Sequence, residues 1–317
     1  MRINFRPIRP EEIPAASLLV DAAYAPQVRE IYGDNSRQGR WRHYDEAKIE
    51  SYVAREPEGV RVGVWKEKLV SFNVCRSYGA FGWFHTLAVH PKFQGMGLGR
   101  QAVADAELYL AGRGVTSIAL MTWPGAIKNL AFYQLLGYRL RGISVNAYRN
   151  VDKPVVTGAS PFYAQLYASA LPQDAQRVQQ AVRALAQNIW LGLDYLPWVQ
   201  WALHQSFAET LLLWRDGQLQ ALALYYFFSK SYLAEGKLLL LHPSLSHSDK
   251  LWVLEHIRLW AKSQQRDVFG LPVELTSTFA QQILLPHGFK FYPESMANMV
   301  KGDDPPDSAH HFVRFGG

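Results

Sequence analysis

The 317-residue chain has a single cysteine, Cys75. No disulfide can close within it, and no cysteine-rich zinc site can form. It also lacks any run of five or six Lys or Arg. The net charge of +6 and a sequence pI near 9.3 therefore suit a small polyanionic ligand better than nucleic acid. Long apolar runs are missing too. The longest, Leu219 to Phe228, is interrupted by Gln220 and falls far short of a membrane span. The opening MRINFRPIRPEE alternates like a strand and has no apolar signal-peptide core, so the expected compartment is the cytoplasm. What is present is a globular composition: 49% hydrophobic, 19% charged, with ten tryptophans, at a length suited to two domains.

The chain repeats itself. His90-Pro91 and His242-Pro243 are 152 residues apart, Trp65 and Trp214 are 149 apart, and Gly137 and Gly288 are 151 apart. Each copy reads as the same series. In the first, strands are predicted over 3–8, 60–65, 69–77, 81–89, 117–122 and 138–148. Helices are predicted over 11–25, 45–55, 98–111 and 127–136. This order predicts an α/β fold with two tandem domains, each a mixed, mostly antiparallel sheet flanked by helices. The expected division is a domain over 1–149, a linker over 150–161 rich in Pro, Gly and Ser, a second copy over 162–302, and a tail over 303–317 with few structural signals.

The informative stretch is LAVHPKFQGMGLGR, Leu87 to Arg100. Gly95, Gly97 and Gly99 arrive just before a helix whose Leu98, Ala102, Ala106 and Leu110 share one face. A helix N-terminus offers unpaired N–H groups and partial positive charge, and glycines let a ligand approach the backbone closely. Successive N–H groups form a nest for phosphate oxygens, and Arg100 adds charge. A P-loop is absent, because no Gly-Lys-Ser/Thr follows. The dinucleotide pattern fails as well, because the glycines alternate and the positions near 119 are apolar.

The run Gln94-Gly95-Met96-Gly97-Leu98-Gly99, with LAVHP before it, resembles the pyrophosphate loop of the GNAT superfamily of acyl-CoA-dependent N-acetyltransferases. The resemblance covers 1–149 and reaches a second anchor at NLAFYQLLGYR, where Tyr133 stands four residues before Gly137. Family members often carry Asn seven residues before that Tyr. Here position 126 is Ala126, and Asn129 is the nearest amide. At 100° per residue, Ile127, Leu130, Ala131 and Leu135 form an apolar stripe, and Asn129 and Tyr133 sit opposite it, free to face a cleft.

The resemblance implies acetyl-CoA as cosubstrate, no metal, and a small-molecule amine as acceptor; no nucleic acid or membrane partner is expected. Leu87, Ala88 and Val89 would pair with the pantetheine arm. Gln94, Gly95, Met96, Gly97, Leu98, Gly99 and Arg100 would hold the pyrophosphate, with Asn129 and Tyr133 nearby. Tyr133 would protonate the leaving thiolate. The strand FGWFHTLAV has no acid, so His85, its one titratable side chain, is the candidate base beside ordered water. The acceptor lip would come from the segment between the first two helices, with Tyr24, Arg29, Tyr32, Trp41, Arg42, His43 and Tyr44.

In the second copy the 152 offset puts Ser246, His247, Asp249 and Leu251 in place of Gln94, Gly95, Gly97 and Gly99. Leu284 replaces Tyr133, and Pro286 shortens its helix. The second copy thus resembles a degenerate GNAT domain; a polar loop or a metal site at His242, His247 and Asp249 are both open readings. The alternative to an enzyme is a catalytically idle acyl-CoA-binding protein of the same fold.

Overall fold

The structure is a computed structural model that describes residues 2–32, 45–228 and 231–313. By packing, the chain divides into two compact units: Met1–Ser77 with Gly82–Leu120, and Tyr78–Phe81 with Met121–Gly317.

The first unit runs β1 (Asn4–Pro7), α1 (Ile13–Tyr32), α2 (Glu46–Arg55), β2 (Val60–Trp65), β3 (Lys68–Tyr78), β4 (Phe81–Val89), α3 (Leu98–Ala111) and β5 (Ser117–Thr122), with the ends of β3, β4 and β5 reaching past the division. Its strands lie in the order β1-β2-β3-β4-β5. Alternation in VRVGVW sends Val60 and Val62 into a core with Phe72, Val74, Ile49 and Leu19. The predicted stripe of α3 is its buried face: Leu98, Ala102, Ala106 and Leu110 are all 2% exposed or less. Two polar ties orient that helix. Arg61 forks onto Asp105 at 2.5 and 2.8 Å, and the Asn73 amide donates to the Ala102 carbonyl at 3.2 Å. The N-terminus of α3 is thereby held at the end of β4.

The second unit continues with α4 (Ile127–Leu135), β6 (Arg139–Asn150), β7 (Tyr163–Leu166), α5 (Tyr167–Ile189), α6 (Leu196–Leu203), β8 (Ala208–Arg215), β9 (Gln218–Tyr226), β10 (Leu233–Leu241), α7 (His247–Ser263), β11 (Val268–Glu274), β12 (Lys290–Gly302) and β13 (His311–Val313). Its strand order is β12-β6-β11-β10-β9-β8-β7, with β13 on β10. The sheet is mixed: β10 and β11 run parallel, the other pairs antiparallel. Strand β6, the last of the first repeat in sequence, is flanked by β11 and β12 of the second. Val145 and Ala147 of β6 therefore lie in the same core as Leu239, Ile257 and Phe269. The linker is pinned rather than loose: the Arg258 guanidinium donates to the Val151 carbonyl, and Glu255 accepts from the Val155 N–H at 2.7 Å.

Two sequence expectations change. The tail is not featureless. His311–Val313 forms a strand, because Phe312 and His311 are buried and pair with Leu238–Leu240. The α4 faces are also reversed. Ile127 and Leu135 are 67% and 78% exposed, while Tyr133 is its buried residue. Aromatic area outweighs the aliphatic stripe, since the Tyr133 ring packs at 5.1 Å on Phe132 and 5.9 Å on Tyr138. Among the described residues, no helix is long and apolar enough to cross a membrane.

Candidate functional site

The repeated His-Pro pair serves the backbone. Nδ1 of His90 accepts the Lys92 N–H at 3.2 Å, and Nδ1 of His242 accepts the Ser244 N–H at 3.2 Å. In each copy this turns the chain from a central strand toward the next helix. After His90 comes one 3-10 turn, Pro91–Phe93, and then Gln94, whose side-chain amide donates back to the Val89 carbonyl at 3.0 Å. The glutamine at the head of the glycine run thus latches the loop to the end of β4.

Gly95 and Gly97 follow with φ of +75° and +78°. Both are in the left-handed region that L side chains avoid, and around both there is nothing within 4 Å of where a Cβ would stand. Gly97 is the N-cap of α3 and has no side chain with which to close it. The first N–H groups of the helix, those of Leu98, Gly99 and Arg100, have no intrahelical acceptor by geometry. Leu98 points into the core, while Gln94, Gly95, Met96, Gly97 and Arg100 are exposed. A backbone cradle with open space over it, at the positive end of a helix dipole, with Lys92 before it and Arg100 in the first turn of α3, suits an anion.

The strand leading to the loop carries a feature that the sequence hides. Thr86 has φ of +58°, a left-handed conformation on a β-branched residue in the middle of β4. It breaks the run of β4 just before Leu87, Ala88 and Val89. Nothing in FHTLAV announces it; a threonine ordinarily signals regular strand. The second copy lacks it: β10 has no left-handed residue, only a register shift against β9 between Gly236 and Leu238. The Tyr24 hydroxyl of α1 donates to the Leu87 carbonyl at 3.3 Å, so one member of the expected acceptor lip does meet this strand. Arg29 lies exposed on the same helix and its Nε donates to the Ala25 carbonyl. Tyr32 ends α1. Trp41, Arg42, His43 and Tyr44 lie outside the described residues.

His85 sits beside that break. Its Nδ1 is 2.9 Å from the Thr86 hydroxyl, and its ring meets Tyr52 edge-on at 5.1 Å. Burial, and then the charges of Arg76, Lys48 and Arg55, hold its pKa well below the usual histidine value. The ring is neutral at physiological pH and able to accept a proton, though as a weak base. Tyr133 belongs to the second unit, where burial raises its pKa and keeps the phenol protonated. Asn129, one turn earlier, donates to the Thr122 hydroxyl at 3.4 Å.

The matching helix start in the second copy is closed. Ser246 caps α7 by accepting the Asp249 N–H at 3.2 Å, and Asp249 accepts the Ser246 N–H at 3.0 Å. Arg215 holds the Asp249 carboxylate at 2.8 Å. Asp249 is thus spent on a cap and an ion pair, and no cluster of three or more His, Cys, Asp or Glu suited to a metal occurs among the described residues. The strand beside it is closed as well. β10 pairs with β11 only over Leu233–Glu235, and beyond that β13 lies along Leu238–Leu240. By the 152 offset, Leu238–Leu240 correspond to Thr86–Ala88.

A mixed sheet with a broken central strand leading to a glycine-turned helix start is the GNAT fold, and residues 25–138 match the acetyltransferase (GNAT) family. The likeness of fold extends over nearly the whole chain, since solved structures of that fold cover almost all of it. One is a protein from Pyrococcus horikoshii assigned as an acetyltransferase, with TM-score 0.65 and 13% identity, covering 98% of this chain and 94% of that one. A second is a GCN5-related N-acetyltransferase from Sphaerobacter thermophilus, with TM-score 0.61 and 16% identity over 96% and 97%. A third is a tandem GNAT protein from the clavulanic acid biosynthesis pathway, with TM-score 0.53 and 13% identity over 96% and 100%. No curated protein matches the sequence.

Proposed function

We propose that this chain is an acyl-CoA-dependent N-acyltransferase that moves an acetyl group from acetyl-CoA to the primary amine of a small molecule. The observation that carries this is the open, glycine-turned start of α3 behind a broken β4. In this reading the N–H groups of Gln94 to Arg100 bind the pyrophosphate, and the backbone of Leu87–Val89 pairs with the pantetheine amides. An N–H at Ala88 or Val89 polarises the thioester carbonyl and stabilises the oxyanion. The amine nitrogen attacks that carbonyl, the N–C bond forms and the C–S bond breaks. The ammonium proton leaves to His85 or to water, and the Tyr133 hydroxyl protonates the thiolate. The second copy keeps the frame without the ligand-facing groups and serves as a packing domain, and the compartment is the cytoplasm.

The depressed basicity of His85 favours a second reading, a protein that binds acyl-CoA without turning it over. Thiol release from acetyl-CoA, measured against a panel of primary amines, separates the two. Turnover with at least one amine, reduced about tenfold to a thousandfold in Tyr133→Phe with acetyl-CoA affinity unchanged, is the expected result. Saturable acetyl-CoA binding with no turnover would establish the second reading.

A further inference from the structure

The second unit has a cleft of about 310 Å³ that belongs to none of the features above. Its long wall is one face of α5. Arg177, Ala181, Ala184, Leu185 and Asn188 recur at helical spacing and all line it. The opposite wall is the β8–β9 turn with Trp214, Gly217, Gln218 and Leu219, and His242 lies at one end. The polar groups at that end are satisfied, because Asn188 meets Nε2 of His242 at 3.3 Å while Ser244 serves Nδ1. The other end is cationic. Arg177 stands 5.7 Å over the Trp214 ring and donates to the Gly217 carbonyl at 3.2 Å, which uses one of its five N–H donors. Among the described residues, no Asp or Glu lines the cleft. Trp214 is 9% exposed, and its indole N–H has no acceptor among the described residues.

The first copy shows why this space exists. There Trp65 and His90 close on the same ring, Phe93, at 5.5 and 5.7 Å. The residue 152 positions later is Leu245, which turns into the core at 5% exposure. Among the described residues no Phe or Tyr lines the space between Trp214 and His242, and small alanines of α5 face it. We propose that this cleft binds a small organic carboxylate with an elongated apolar body. The carboxylate pairs with Arg177, and the body lies over Ala181, Ala184, Leu219 and the Trp214 ring. From Arg177 to Asn188 the helix rises about 16 Å, which accommodates an apolar body of about eight to ten carbons. The absence of any acidic lining residue and the fixed cation at one end select anions over amines of the same length.

Calorimetry on the full chain with sodium octanoate, octylamine and 1-octanol tests this. Octanoate is expected to bind once per chain, at least tenfold more tightly than octylamine. Ala184→Leu fills the cleft from an exposed position, so folding is retained, and is expected to weaken octanoate at least tenfold. Arg177→Gln is expected to reduce octanoate to the level of 1-octanol. Octanoate binding that survives in Gly97→Val places it apart from the acyl-CoA loop. Equal affinity for octanoate and octylamine, full affinity in a folded Ala184→Leu protein, or no saturable octanoate binding would each overturn the proposal.

Discussion

Helices α3 and α7 occupy the same place in their respective repeats, α7 starting three residues earlier by the 152 offset, and their first turns are used differently. At α3 the first turn follows two left-handed glycines, carries no cap and faces open space. At α7 the same offsets hold a serine–aspartate capping box, and Arg215 neutralises the aspartate. The strands before them differ in the same sense: the second copy lays its own β13 along Leu238–Leu240. A glycine at the N-cap forfeits about a few tenths of a kcal/mol relative to a good cap. The first copy tolerates that loss where a ligand would recover it. The second copy, with no nest to keep open, satisfies the same groups from within its own chain. Under the proposed function, ligand-facing residues and fold-bearing residues are separated within one sequence, since the His-Pro turn and the buried helix stripe appear in both copies while the left-handed Thr86 and the glycine run appear only in the first.

The largest effect is expected from reopening the closed strand. Phe312 is 3% exposed and packs 4.5 Å from Phe279. Phe312→Ala is expected to cost about 3–5 kcal/mol, the range for truncating a buried phenylalanine. Urea unfolding followed by circular dichroism reads the loss. A change under about 1 kcal/mol would mean that β13 rests on the sheet without stabilising it.

The converse change closes the open site. Gly97→Val puts a β-branched residue at φ +78°, which costs roughly 1–2 kcal/mol locally. It also fills the space over the loop. Because no atom lies within 4 Å of the new Cβ, the fold is expected to survive. Acetyl-CoA affinity is expected to fall at least a hundredfold by calorimetry. Unchanged affinity in the folded variant would remove the loop from the proposed binding site.

How much of this contrast the sequence announces depends on whether backbone or side chain carries it. The α3 stripe and the glycine run are legible because residue type determines each: apolar for burial, small for close approach; the capping role of Asp249 is not read, because a loop carboxylate also suits a polar turn or a metal. The left-handed Thr86 is not legible, because threonine argues for plain strand and only the surrounding sheet imposes the break. The facing of Tyr133 is misread because α4 has only nine residues, too few for a helical stripe to outweigh one large ring. The flanking of β6 by β11 and β12, and the use of the tail as a strand, are long-range pairings that no local pattern encodes.

The closed strand also has a pH signature. Burial, and then the Arg141 charge, lower the His311 pKa to about 3, and its ring meets the Tyr195 hydroxyl at 2.5 Å. The folded value lies below the unfolded one near 6.5. The unfolded state therefore binds more protons between those values, so stability is complete above about pH 6.5 and falls as pH drops toward 3. For one such group the slope approaches about 1.4 kcal/mol per pH unit. In His311→Gln the stability–pH curve is expected to be shallower across that window than in the parent. Superimposable slopes would show that His311 does not stay neutral in the folded protein.

The smallest effect sharpens the comparison most. Asp249→Gly writes the residue of position 97 into position 249 and removes the carboxylate half of the capping box together with the Arg215 pair. Burial alone would push the Asp249 carboxyl up, but hydrogen bonds from the Ser246 side chain and N–H, with Arg215 beside it, hold it below its ordinary value. Its contribution is therefore present above about pH 4 and is lost as pH falls through the depressed value. At neutral pH the variant is expected to lose about 1–2 kcal/mol, a cap plus a partly exposed ion pair. At pH 3 the difference from the parent is expected to shrink. The variant is also expected to bind acetyl-CoA no better than the parent at this second position, giving one site per chain by calorimetry, because β13 still covers Leu238–Leu240. A second site of comparable affinity would mean that a single carboxylate had been masking an intact acyl-CoA cleft, and that the two copies differ by one residue rather than by a strand and a loop.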